Sequence, residues 1–214
     1  PGDTAATFVV NQYVESYRNP SDTTIGSIWA IFETEQKAHL EFAYDGKMRT
    51  LIYDDVKGII IDSFKVRKLP FRPVSPPFFN YTENIIRYII ENNDSTFVEQ
   101  KDLGEEIYVK LTIYEDTQVE FFGKAHYMPK NPYTFYPTSI YELWIDKKSN
   151  LPRKVRREMS HNISVSSISD YEFNKLNLEN FVASDYFPQG YEIRQYGQKG
   201  KKRQPNTLIG KKAA

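Results

Sequence analysis

Apolar residues recur along most of this chain with the two-residue period of half-buried strands. Leu40, Phe42 and Tyr44 alternate with His39, Glu41 and Ala43, and Asp45-Gly46 follows at once as a hairpin signal. Arg49 to Asp54 reads as the returning strand. Ile25 to Phe32 is an apolar, β-rich run before it, and Gly58 precedes a short buried run, Ile59-Ile60-Ile61. In the second half, Ile107, Val109, Leu111 and Ile113 alternate with Tyr108, Lys110, Thr112 and Tyr114. Val119 to Met128 reads as one further strand. Ile140 to Asp146 follows, with Tyr141, Leu143 and Ile145 on one face. Arg153 to Met159 and Ile163 to Phe173 complete the series.

Two segments read as helices. From Thr4 to Arg18, residues Phe8, Val9, Tyr13, Val14 and Tyr17 fall close to one helical face, and Asn19-Pro20-Ser21-Asp22 ends the run. From Thr82 to Asn92, Ile85, Ile86, Ile89 and Ile90 form an apolar stripe, with Thr82 or Asn80 as the candidate cap. Between the halves, residues 65–80 hold four prolines and cannot form a regular element. Pro129 to Pro137 is a second loop of prolines and aromatics. Consecutive strands with short turns need no crossover helices. The expected fold class is mainly β (α+β), one highly curved antiparallel sheet of about nine to eleven strands, with an N-terminal helix and a second helix.

Composition changes this picture in three places. Aromatics make up 15% of the 214 residues, with 16 Tyr and 14 Phe, which favours strands and an aromatic interior or cleft. The net charge is zero but uneven. Lys199, Lys201, Lys202, Arg203, Lys211 and Lys212 stand in a tail without acids, so residues 1–196 carry a net of −6. A net-acidic body does not suggest nucleic acid as a partner, and the tail, 197–214, reads first as a solvated linker. There is no Cys, which removes disulfides, thiolate metal sites and Cys nucleophiles from these residues and fits an exported bacterial protein. No apolar run approaches the about 18 residues of a membrane span. The start, Pro1-Gly2-Asp3, shows no signal peptide and leads us to expect a targeting segment ahead of it.

Candidate chemistry is sparse. His39, His126 and His161 are far apart and match no metal-ligand spacing. Asp54-Asp55 and Glu105-Glu106 are carboxylate pairs that any turn holds; acid–base work would need one of them buried. No nucleophile-elbow, Walker or dinucleotide-binding glycine motif is present. The triplets at Asn80, Asn93 and Asn162 are chance occurrences in an Asn-rich chain. Lys65–Arg72 and Arg153–Arg157 are basic clusters. On a strand, Arg153, Val155 and Arg157 point one way, with Lys154 and Arg156 the other. Two readings stay open: protection near a sheet edge, or one face meeting a ligand headgroup. The best candidate ligand-cavity and lid residues are the loop aromatics Phe71, Phe78 and Phe79, with Tyr133, Phe135 and Tyr136. Proline-stiffened loops on a rigid sheet bind at low entropy cost. The competing reading is that these rings plug the core.

The stretch Leu143-Trp-Ile-Asp-Lys-Lys-Ser-Asn-Leu-Pro-Arg-Lys-Val155 resembles a strand–turn–strand of the LolA/LolB lipoprotein-carrier superfamily. Asp170-Tyr-Glu-Phe173, Asn177-Leu-Glu-Asn-Phe181 and Asp185-Tyr-Phe-Pro-Gln-Gly-Tyr-Glu-Ile193 match the family's closing pieces in order. The resemblance covers about 140–193. It implies a half-barrel over residues 1–196, whose helices lid an apolar cavity on the concave face. It also implies a location in the Gram-negative periplasm, or anchored at the outer membrane facing it. The ligand it implies is a lipid, an acylated protein or a hydrophobic peptide. Thr207-Leu-Ile-Gly-Lys-Lys-Ala213 is similar to the entry of a TlpA-like thioredoxin domain, implying a linker and a fused redox domain. Three functions therefore compete: an envelope binding domain without a cofactor, a module positioning a thioredoxin-like reductase, and an enzyme with a carboxylate site. The first is favoured.

Overall fold

The computed structural model describes residues 9–18, 25–35, 39–45, 48–63, 77–92, 97–115, 117–121, 126–127, 133–174 and 181–195. Within them the fold is mainly β, and its sheets are antiparallel except for one strand pair. Hydrogen bonding divides the strands into three sheets, where one was expected. Phe71 and the basic tail lie outside the described residues.

The six-stranded sheet begins with β1 (Val10–Arg18), which pairs antiparallel with β2 (Ile25–Thr34). The expected N-terminal helix is thus a strand over residues 10–18; residues 4–8 lie outside the described set. A spacing of four is even, so Val10/Val14 and Tyr13/Tyr17 satisfy a strand's alternation as well as a helix's turn. β-Branched and aromatic residues then favour the extended form once β2 offers a partner. The meander continues through β3 (His39–Tyr44), β4 (Met48–Tyr53) and β5 (Gly58–Ser63). The expected hairpin after Tyr44 is present, with Asp45 Oδ1 accepting the Met48 N–H at 2.8 Å. One face packs Ile28, Ala30, Phe32, Phe42 and Tyr44 with Val14, Leu40 and Leu51.

The helix α1 (Phe78–Glu91) starts four residues earlier than the apolar stripe predicts. Pro77 stands before its first turn, where a missing N–H costs nothing. Neither Asn80 nor Thr82 caps it. The Thr82 hydroxyl donates back to the Phe78 and Phe79 carbonyls at 3.0 and 3.2 Å, inside the helix.

The five-stranded sheet runs, in spatial order, β12 (Asn162–Ser167), β11 (Leu151–Met159), β10 (Ser139–Asp146), β7 (Glu106–Ile113) and β6 (Phe97–Asp102). β6 carries little apolar alternation because it is an edge, and the pattern missed it. β12 ends at Ser167, short of the expected Phe173. The β10–β11 turn is built as its sequence suggests: Asp146 Oδ1 accepts the Ser149 N–H and hydroxyl, each at 2.6 Å, and Asn150 takes φ +56°. The expected long strand over 119–128 is instead β8 (Val119–Glu120) and β9 (His126–Tyr127), paired antiparallel with each other. α1 lays Ile85 and Tyr88 against Leu111, Ile113, Val119, Phe121, Tyr141, Leu143 and Val155. The Asn84 amide donates to the Phe121 carbonyl at 3.2 Å. This is the second core.

A C-terminal segment, 181–191, follows β4 along the other face of the six-stranded sheet. At one end the Ala183 N–H donates to Asp45 Oδ2 at 3.3 Å; at the other the Tyr191 hydroxyl donates to Asp54 Oδ1 at 2.7 Å. Ala183 is fully buried, and Tyr186 stacks on Trp29 with ring centroids 6.0 Å apart. Gly190, at φ +81°, turns the chain. β13 (Glu192–Gln195) then joins β5 as the one parallel pair.

Candidate functional site

The sequence candidates separate in space. Phe78 and Phe79 belong to the first turn of α1, not to a loop, and both are half-buried. Their rings meet edge to face at 5.6 Å, and Phe78 packs on the α1 core. Phe79 also meets Tyr171 and Phe173, each with centroids 5.2 Å away. Tyr171 and Phe173 were not among the candidates, since they read as the end of a strand. Tyr133 and Phe135 are exposed at 96% and 66%, while Tyr136 is half-buried. Among the described residues no ring contact joins Phe135 or Tyr136 to the α1 aromatics.

The aromatic group is held by local geometry. After β12 the chain stays beside β11, with the Ile168 N–H donating to the Arg153 carbonyl at 3.1 Å. Arg153 itself sits at a bulge in the β10–β11 register, and its guanidinium lies 5.4 Å from the Tyr171 ring centre. Phe173 remains 53% exposed, so the group presents apolar surface to the outside.

The basic residues of β11 divide by face. β11 is not an edge strand; it lies between β10 and β12. On the face away from α1, four strands place Glu99, Lys110, Glu142 and Arg156 side by side in register. Lys110 bonds Glu99 at 2.9 Å; Arg156 bonds Glu142, and Glu158 at 2.6 Å. Burial pushes the Glu142 carboxyl up, but the Tyr108 hydroxyl and Arg156 outweigh it and hold the pKa below the usual range. The next row is Lys101, Tyr108, Trp144 and Lys154, with Lys154 4.5 Å from the Trp144 ring centre. These charges satisfy one another, which is how a sheet face is stabilised in water. Arg157 points to the α1 side, opposite Tyr141.

The histidine signal resolves into one cluster. His39 Nε2 lies 3.3 Å from Glu41 and 3.7 Å from Asp54, and Nδ1 lies 3.5 Å from Glu33. Partial burial disfavours its cation, but Glu41, Asp54 and Glu33 together raise its pKa above 6.5. Glu41 also accepts the Trp29 indole N–H at 3.3 Å. Among the described residues no group of three or more His, Asp or Glu is placed to hold a metal ion. Asp54 is committed to Tyr191 and Asp55 to the Val56 N–H. Among the described residues the carboxyls with displaced pKa, Glu99, Asp102, Glu142 and Asp146, are all held low, the opposite of a neutral-pH acid.

No helix among the described residues is long and apolar enough to cross a membrane. No protein-family model matches this chain, and no curated protein matches it.

Proposed function

We propose that this chain is a non-catalytic binding domain of the bacterial cell envelope that takes an apolar chain: a lipid, an acylated protein or a hydrophobic peptide. The observation that carries the reading is the half-exposed group of Phe79, Tyr171 and Phe173 beside α1. Contiguous exposed apolar surface on a folded chain marks a site of interaction, and rigid rings lose little entropy on binding. The periplasm-facing location and the half-barrel with a helix-lidded cavity rest on the lipoprotein-carrier resemblance over 140–193. Tyr133 and Phe135 are second candidates, through their exposure alone.

Native mass spectrometry of the protein incubated with a fluorescent fatty acid tests the reading. The expected result is a stoichiometric adduct, weakened several-fold by Phe79→Ala or Phe173→Ala. No adduct and no fluorescence change would overturn it. A second reading, a module positioning a fused thioredoxin-like domain, rests on Thr207–Ala213. Sequencing the gene beyond the codon for Ala214 tests it; a downstream Cys-x-x-Cys in a thioredoxin-like pattern is the expected result.

A further inference from the structure

On the α1 side of the five-stranded sheet, one row runs Val98, Leu111, Tyr141, Arg157 and Ser164 from β6 to β12. From Leu111 onward burial falls along it. Leu111 and Tyr141 are 0% and 3% exposed, Arg157 is half-buried, and Ser164 is exposed. The next row ends the same way, with Leu143 and Val155 buried and Ser166 exposed. The inward face of β12 is thus an open, hydroxyl-bearing margin beside a covered core.

Arg157 stands where the two meet. A guanidinium drawn out of water ordinarily has a carboxylate beside it, because an unpaired charge there is costly. Arg156, the preceding residue on the same strand, has two carboxylates, Glu142 and Glu158. Arg157 has none among the described residues. Its Nη2 donates to Met159 Sδ at 3.4 Å, its guanidinium lies 5.9 Å from the Tyr141 ring centre, and its buried Nε has no hydrogen-bond partner. Its register partners on either side, Tyr141 and Ser164, carry hydroxyls and no charge. Burial raises the Tyr141 phenol pKa and Arg157, 5.9 Å from its ring centre, pulls it back. Four residues along the same strand, about 13 Å away at strand rise, Arg153 stacks on Tyr171, and Tyr171 meets Phe79 and Phe173. A cation without a carboxylate at one end and exposed rings at the other is the complement of an anionic headgroup with an apolar tail.

We propose that Arg157 seats the carboxylate of an anionic amphiphile, whose chain follows the margin of β12 to Phe79 and Phe173. The proposal rests on the apolar-ligand reading above and adds the headgroup to it. A carboxylate fits the guanidinium fork, and the exposed Ser164, across from Arg157 in register, supplies a further donor.

Calorimetric titration at pH 8 with dodecanoate, dodecanol and inorganic phosphate tests it, on the wild type and on R157M and R157K. The wild type should bind dodecanoate about tenfold or more tightly than dodecanol, since a hydrogen bond to a charged group is worth at least about that factor. R157M should lose the preference while still binding dodecanol, and R157K should keep part of it. The wild-type comparison needs no variant to fold. Equal, measurable binding of dodecanoate and dodecanol would overturn the role of Arg157 and leave the apolar-ligand reading standing. Binding of neither would overturn both. Phosphate binding as tight as that of dodecanoate would make this a small-anion site and overturn the amphiphile.

Discussion

His39 is the one described side chain whose charge changes near neutral pH with carboxylates on several sides: Glu33 from β2, Glu41 from β3 and Asp54 after β4. Desolvation opposes the cation and these partners favour it, with a net rise above 6.5. A raised folded pKa means stability that is fully present below the unfolded value and is lost as pH rises through the folded one. The melting temperature of the wild type should therefore exceed that of His39→Gln at pH 5.5, and the gap should close at alkaline pH. A gap independent of pH would show that the ring acts by packing. The sequence put only Glu41 on the same strand face as His39, which was otherwise one of three scattered histidines. Cross-strand register brought the four groups together, and register is not a property of any one strand. Arg157 is a similar case. Alternation separated it from Arg156, but only the neighbouring strands put acids beside one arginine and hydroxyls beside the other.

Among the elements, strands with a clean period of two were read well, as were the apolar runs of β2 and β5 and the basic β11. β3, β4, β7 and β10 each have a covered face, so their alternation is strong. β6 and β12 lie at sheet edges, where burial imposes little pattern. α1 was placed by its isoleucines but begins earlier, because a helix start follows backbone geometry as well as its stripe. That shift moved Phe78 and Phe79 out of the loop and onto the helix, where Phe79 meets Tyr171 and Phe173. The elements differ in what single changes should cost. Phe121 is 2% exposed, with Tyr81, Tyr88 and Tyr141 all edge-on to it. Phe121→Ala should cost about 3–5 kcal/mol by denaturant unfolding. A double-mutant cycle on Glu142 and Arg156 should give only about 0.2–1 kcal/mol, as for other cross-strand pairs. A coupling several times larger would mean that the charge row is shielded far more than its exposure indicates.

For the molecule as a whole, the connections were a better guide than the strand count: about nine to eleven strands were expected and the described residues hold thirteen. A meander needs only neighbours in sequence, and most of the chain obeys it. One exception is β10, which pairs with β7 past the separate β8–β9 pair; another is the return of residues 181–195 along β4, tied at Asp45 and Asp54 and ending in the parallel strand β13. Tyr191→Phe keeps the ring and removes the donor, so hydrogen exchange at Ile193 to Gln195 should speed up by about 1 kcal/mol of opening free energy. The five-stranded sheet should not respond. Unchanged protection at β13 would show that the Tyr191–Asp54 bond does not hold the segment.

By itself the sequence determined the β class, most strand positions and the turns at 45–48 and 146–151, because side-chain alternation and turn chemistry act within a few residues. Only the tertiary structure decided that residues 10–18 are a strand, that the strands divide into separate sheets, and which of Arg156 and Arg157 has carboxylates beside it among the described residues. Each of those outcomes depends on what lies across a sheet or under a helix, and the residues that answer it are far away along the chain.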